Sequence, residues 1–203
     1  MPSLFLSKLQ SMRYTVTDAS APVYSDVVST ADLKAFLRVE HSEEDALIEA
    51  MREAAILHIE NVTNLRIGDR SVSVTYEDVY STFEIPVGPV SSTGFTLLYS
   101  TDASTTVPMV KDTDYYLDHL RKPAQVTLIN VPDAYDYSFY KLNVVATVGY
   151  TEATVPAALV HAIKLLVSHM YEMRQPEVIG TITTQVKLGL DALLNPYRIV
   201  SFR

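Results

Sequence analysis

Two histidines near the carboxyl end provide the closest histidine pair in the sequence. His161 and His169 lie eight positions apart in a segment that reads as a helix. On a helix, this spacing places them about 12 Å apart along the axis and about 80° apart around it. That is too far for both to bind one zinc ion, and a chain without cysteine has no thiolate ligands to add. We therefore interpret both histidines as polar interface groups and expect neither a metal nor another cofactor.

His58 is a candidate general base, because histidine exchanges protons near neutral pH. It lies within the apolar stripe of a predicted helix, where a core or interface histidine with one hydrogen bond is the favoured interpretation. Serine hydrolases of the Gly-x-Ser-x-Gly type are not indicated, since that motif is absent and the chain has only 6 glycines. No glycine-rich phosphate loop or dinucleotide fingerprint occurs either. The sequence thus predicts no enzyme, and hydrolysis by His58 with a carboxylate remains a minor alternative.

Three aspartates form an acidic cluster that could attract Ca²⁺. Asp112, Asp114 and Asp118 lack the glycine and the terminal glutamate of a calcium loop. We interpret them as solvated turn residues.

Composition excludes several other classes of protein. The net charge of −8 disfavours nonspecific DNA binding, which needs clustered Lys and Arg. The absence of cysteine fits a reducing compartment. The amino terminus carries too short an apolar run for a signal peptide, and no run is long enough for a membrane span. With 48% apolar residues, the chain can build a substantial core.

The segment from Val155 to Arg174 predicts a long helix that is apolar on most sides. Pro156 suits the first helical position, and Pro176 lies just beyond the last. The apolar face comprises Leu159, Ala162, Ile163, Leu166, Met170 and Met173, widened by Val160, Val167 and Tyr171. The polar stripe is narrow and contains His161, Lys164, Ser168 and Glu172. Such a helix belongs in a bundle core or an assembly interface, so we expect it to need cover from outside its own small domain.

Two shorter helices are predicted before residue 66. Ser29 or Thr30 can cap the first helix, which should reach about Val39. Ser42 with Asp45 forms a capping-box variant at the start of the second helix, which should reach about Asn61. The predicted buried stripe of the second helix contains Leu47, Met51, Ala54, Ala55, His58 and Val62, flanked by Ile48 and Ile59. The residues predicted to face water are Glu49, Arg52, Glu53 and Glu60.

Between about residues 66 and 150 the apolar period changes from 3.6 to 2, which predicts a β-rich insertion of about six strands. A further strand at Thr181 to Lys187 and a short helix at Leu188 to Leu194 are predicted near the end. The 13 tyrosines suit protein interfaces and exposed sheet surfaces equally well.

These patterns predict an α+β fold in three parts. Residues 1–29 form an amino-terminal arm with one strand near Tyr14 to Thr17. Residues 30–65 and 151–203 form a small helical bundle of two amino-terminal helices, a long helix and a short carboxy-terminal helix. Residues 66–150 form an inserted antiparallel β domain.

Three segments together resemble the head-tail connector, or adaptor, proteins of tailed bacteriophages, in their long form with a β-rich insertion. The first runs from Ala31 to Val39 and continues into Glu43 to Ile48. The second runs from Val155 to Arg174, and the third from Leu193 to Arg198. The chain departs from that family's pattern at Met170, where longer relatives often carry Trp.

The resemblance implies a structural virion protein at the head-tail junction, present in the host cytoplasm before assembly. Its expected partners are itself in a ring of about twelve, the portal protein above, and a downstream neck or tail-completion protein. Double-stranded DNA would pass through the lumen without sequence-specific binding, and no membrane is involved. The interface residues expected on this basis are Leu166, Met170, Tyr171, Glu172, Arg174, Tyr197 and Arg198.

One alternative comes from a different class of protein. The tyrosine-rich insertion could be a β-sandwich module that binds a small ligand or a carbohydrate, with the helices only packing against it. Saturable thermal stabilisation by one small molecule would favour this alternative.

Overall fold

A computed structural model describes residues 13–77, 81–100, 105–130, 141–173 and 184–200. The α-helices in these ranges are α1 (Thr30–Leu37), α2 (Asp45–Thr63), α3 (Ala157–Glu172) and α4 (Thr184–Leu194). The strands are β1 (Tyr14–Asp18), β2 (Arg70–Tyr76), β3 (Thr82–Ile85), β4 (Thr96–Ser100), β5 (Thr106–Met109), β6 (Tyr115–Asp118), β7 (Ala124–Leu128) and β8 (Lys141–Val148). Short 3₁₀ turns occupy Tyr24–Asp26 and Asn195–Tyr197.

The helices form one bundle around a shared apolar core. Ser29 caps α1, since its hydroxyl accepts from the Asp32 N–H at 3.1 Å. Both α1 and α2 end at a residue in the left-handed conformation, Arg38 and Asn64. The predicted capping box of α2 does not form: the helix begins at Asp45, and no side chain caps it.

The buried face of α2 differs from the predicted one. The helix buries Ile48, Arg52, Ala55, Ile56, Ile59, Glu60 and Thr63. Arg52 and Glu60 were expected in water, whereas His58 was expected inside and is exposed. The prediction failed because each charged side chain finds buried partners. The Arg52 guanidinium donates to the Val28 carbonyl at 3.4 Å and to the Thr30 hydroxyl at 3.1 Å, and Glu60 is held at the domain junction described below.

The expectation that α3 needs cover from outside its own domain was also wrong. Helices α1, α2 and α4 all pack against α3. The residues it buries are Leu159, Ala162, Ile163, Leu166 and Val167. Of its remaining apolar side chains, Val160, Leu165, Met170 and Tyr171 are partly buried against the same core. The bundle therefore covers most of α3 by itself.

The β strands build two antiparallel sheets around a second core. One sheet has the order β1-β2-β8-β4-β5 and the other β3-β7-β6. Side chains alternate strictly between buried and half-buried along β2 and β8, as expected when one face of a sheet covers a core. Seven strands lie between residues 66 and 150 in the described ranges, slightly more than the six predicted. Strand β1 completes the larger sheet by pairing Val16 with Val74.

The last helix begins earlier than predicted. Thr184 to Lys187 are helical where a strand was expected, and Thr181 to Thr183 lie outside the described residues. The β-branched Thr, Ile and Val residues of this segment favour a strand locally, but Leu190 and Leu194, four positions apart, are buried in the helical core. Tertiary packing thus selects the helix.

The predicted α+β fold, with a helical bundle and an antiparallel β part, is confirmed. The domain boundaries at residues 29, 65 and 150 remain predictions. Within the described ranges, none of the helices is both long and apolar enough to span a membrane.

Candidate assembly interface

The interface residues predicted on the carboxy-terminal half of α3 are divided between core and surface. Leu166 is 2% exposed inside the helical core, so a neighbouring subunit cannot reach it in the folded chain. Met170 is partly buried against the same core. Both residues therefore stabilise the bundle itself, and only Met170 keeps some accessible surface.

The end of α3 lies against the start of α2. The Tyr171 hydroxyl donates to the Glu44 carboxylate, and this contact joins the carboxyl end of one helix to the amino end of the other. Glu172 is exposed beside it, while Arg174 lies outside the described residues. The polar groups here are consistent with a contact surface at this end of the bundle.

Tyr197 and Arg198 lie at the other end of α2. The Arg198 Nε–H donates to the Val62 carbonyl at 2.8 Å, although most of the side chain is exposed. Tyr197 is partly buried against the helical core. The next residue anchors the chain, since the Ile199 N–H donates to the Thr63 carbonyl at 2.8 Å.

The predicted interface residues therefore form two groups and not one patch. Glu44, the residue just before α2, and Val62 mark the two groups; they are 18 positions apart, or about 27 Å along the helix axis. If neighbouring subunits contacted both groups, they would bind at opposite ends of the helical bundle. Their role as interface residues remains a prediction.

A buried network of charged side chains joins the helical bundle to the larger sheet, at the point where α2 meets β2. The Glu60 carboxylate accepts from the Ile67 N–H at 2.6 Å and from the Arg70 guanidinium. Arg70 also donates to Asp18 on β1 at 3.2 Å, and its guanidinium lies 5.8 Å from the centre of the Tyr24 ring. The network thus connects α2, β2 and β1, and it fixes the bundle against the β-sandwich.

Burial raises the pKa of Glu60 above its ordinary value, because a carboxylate is poorly solvated there. The Ile67 N–H and the positive charges of Arg70 and Arg66 act in the opposite direction but do not cancel the effect of burial. Burial also raises the pKa of the nearby Tyr24 hydroxyl. Both shifts follow from the low solvent access at this junction.

The residues considered for chemistry do not converge. His161 is exposed and its ring meets Phe36 edge to face at 6.3 Å, while His58 is exposed on α2. The aspartates organise turns: Asp114 accepts from the Val110 N–H at 2.7 Å, and Asp118 from the Arg121 N–H at 3.3 Å. Among the described residues, no group of three or more His, Asp or Glu side chains is placed to hold a metal ion.

Sequence reasoning missed two exposed surfaces. One is the side of α2 opposite the core, formed by Ala46, Leu47, Ala50, Ala54 and Leu57 and here called the outer face of α2. The other is the loop between β6 and β7, residues 119–123, where Leu120 is 81% exposed. The alanines at four-residue spacing could have signalled the first surface. In the sequence, the only sign of the second surface is an apolar residue, Leu120, next to charged residues.

A small pocket lies at the seam between the two cores. Its walls include Leu65, Tyr150 and Ile199 from the helical side, and His119, Arg121 and Lys122 from the β6–β7 loop. The pocket places this loop next to the carboxyl end of α2.

Comparisons with known proteins give relatives by fold only. No protein-family model matches the chain, and no curated protein sequence matches it. Solved structures do match: a chain in the neck of an empty gene transfer agent (GTA) particle, computed with C6 symmetry, is similar with a TM-score of 0.74. A chain in the virion of a native GTA particle gives 0.75, and one in the native neck computed with C12 symmetry gives 0.68. Each is 20% identical and the alignment covers 92% of this chain and 96% of the other. At this identity the likeness establishes a shared fold.

Proposed function

We propose that this chain is a structural, non-enzymatic virion protein of the neck, and specifically a head-tail connector (adaptor) subunit. It forms a ring of about twelve copies beneath the portal, joins the capsid to a downstream neck or tail-completion protein, and surrounds the passage for DNA. The supporting observation is the fold shared, over 92% of the chain, with chains of GTA particle necks and virions. The three sequence segments that resemble connector proteins support the same class of protein.

The charge of the chain is compatible with a conduit. A net charge of −8 gives an average surface that repels phosphates. DNA that must slide through a ring should not be held by its walls. The site of action would be the head-tail junction of the virion, and before assembly the protein would be in the host cytoplasm.

The test is electron microscopy of the purified protein mixed with its portal. We expect a closed ring of this protein seated on the portal, with a copy number near twelve. The protein alone should be analysed by native mass spectrometry in parallel. Monomers that show no affinity for the portal at any concentration would contradict the proposal.

A ligand-binding module remains the second candidate, and the pocket at the seam is the observation that favours it. The cavity has a volume of about 20 Å³, enough for one small group, and His119, Arg121 and Lys122 at its rim favour an anionic one. A thermal-shift screen should include sugars, sugar phosphates and carboxylates. Saturable stabilisation by one compound, lost in Lys122→Ala, would support this function over the connector.

A further inference from the structure

Helix α2 has a second apolar side, which faces solvent. Leu57 is 48% exposed and Leu47 is 39% exposed, and the exposed Ala50 and Ala54 lie between them on the same side. A helix on the surface of a lone domain normally turns polar residues outward. On α2 the buried face already meets α1 and α3, so the outer face has no cover in the described part of the chain.

The outer face of α2 is bordered by the carboxylate of Glu53 on one side and by the imidazole of His58 on the other. Glu53 lies at its edge and is exposed, with no ion-pair partner among the described residues. The only cationic residue of α2 is Arg52, which is buried and hydrogen-bonded inside the bundle. A partner for this surface should therefore bring an apolar side chain together with a positive charge.

The β6–β7 loop carries that combination. Leu120 extends from the loop with 81% of its surface exposed. Arg121 and Lys122 follow it and are the only two consecutive cationic residues in the chain. Arg121 is partly engaged, since it donates to Gln125 at 2.6 Å and approaches Glu84 at 3.8 Å. Lys122 is exposed and has no ion-pair partner in the described part of the chain.

The loop of one chain lies far from the middle of its own outer face. The β6–β7 loop borders Leu65 and Ile199, just beyond the carboxyl end of α2. Ala50 lies 13 positions before Thr63, which is about 20 Å along the helix axis. A contact between the loop and the outer face must therefore join two copies.

We propose that the β6–β7 loop of one subunit packs on the outer face of α2 of the next subunit. Leu120 occupies the space left by the small side chains around Ala50, between Leu47 and Leu57, and Lys122 pairs with Glu53. The two surfaces are different, so the contact is heterologous, which is the geometry that closes into rings. The inference rests on the proposed ring-forming function and names the surfaces that would form the ring.

Disulfide mapping tests the contact directly, because the chain has no cysteine of its own. The double variant Ala50→Cys, Leu120→Cys, oxidised after assembly on the portal, should give a ladder of covalent oligomers on a non-reducing gel. A mixture of the two single variants should give dimers only. Each single variant alone should give no cross-link.

Two results would overturn the inference while leaving the proposed function intact. The first is that the double variant forms rings on the portal, seen by microscopy, but gives no ladder of covalent oligomers on the gel. The other is cross-linking of Ala50→Cys with itself, which would indicate a two-fold symmetric contact instead. Absence of rings and of cross-links together would contradict both the inference and the proposed function.

A charge exchange gives an independent readout. Glu53→Lys and Lys122→Glu each place like charges together and should lower the yield of rings by about tenfold. The double variant restores the pair and should recover most of that yield. Glu152→Lys, an exposed site before α3, makes the same charge change away from the contact and should leave the yield unchanged. Failure of the double variant to recover ring formation would argue against the pairing of Glu53 with Lys122.

Discussion

The Arg70 guanidinium donates to the Glu60 carboxylate where the helical bundle meets the β-sandwich, and the two side chains are only 3% and 4% exposed. This pair lies between the two apolar cores, one built by the helices and the other by the sheets. A charged pair without access to water is stable only while each partner neutralises the other. The contact therefore stabilises the junction between the two parts of the chain, together with the backbone pairing of Leu65 with Gly88.

Replacing Arg70 by Met should destabilise the chain strongly. Glu60 would remain buried with the Ile67 N–H as its main partner, and leaving one charge of a buried pair unpaired costs about 3–5 kcal/mol. Urea denaturation followed by circular dichroism measures this loss. Arg13→Met is the matched control, since Arg13 pairs with Glu77 on the surface at 3.6 Å and should cost less than about 1 kcal/mol. Similar small losses for both variants would contradict the role assigned to Arg70.

The pH dependence of stability should reveal the raised pKa of Glu60. Because that pKa is higher in the folded chain than in the unfolded chain, the folded state binds the proton more tightly. The stabilising contribution is complete below the unfolded-state pKa and is lost as the pH rises through the folded-state pKa. Glu60→Gln cannot take up this proton, so wild type should gain stability relative to Glu60→Gln as the pH falls from neutral. Urea midpoints of both proteins across that range measure the difference, and a constant difference would count against the shift.

Two leucines should respond differently to truncation. Leu166→Ala removes packing from the helical core and should lower the free energy of unfolding by about 2–5 kcal/mol. Leu57→Ala, on the outer face of α2, should change it by less than about 0.5 kcal/mol. Thermal and urea unfolding of the isolated protein measures both. A large loss for Leu57→Ala would mean that the outer face of α2 is covered within the chain and is not free for a neighbour.

Two glycines form another matched pair. Gly149 has a φ of +121°, and a Cβ there would lie 2.6 Å from the Gly68 carbonyl oxygen, so Gly149→Ala should cost at least about 1–3 kcal/mol from the backbone conformation alone. Gly189 lies in α4 with nothing near its Cβ position, so Gly189→Ala should stabilise the chain by about 0.5–1 kcal/mol. Differential scanning calorimetry can rank the three proteins. Equal melting temperatures would contradict the close approach at Gly149.

Local patterns were sufficient for most of the architecture. The change of apolar period near residue 66 marked where helices give way to strands, and Ser29 marked the start of α1, because periodicity and capping act over a few neighbouring residues. The proposed connector class also rests on local segments, since the resemblance is carried by short stretches such as Leu193 to Arg198. These features need no knowledge of what packs against them.

What required the tertiary structure was the direction in which each side chain points. Arg52 and Glu60 read as surface charges, yet they are buried because Thr30 and Arg70, distant in sequence, supply their hydrogen bonds. Leu166 read as an interface residue and belongs to the core, whereas Leu57 is left exposed. The sequence by itself determined that α2 and α3 are apolar helices of an α+β chain. Only the packing of the bundle decided which side of α2 was left exposed, because burial depends on the neighbours that the fold brings together.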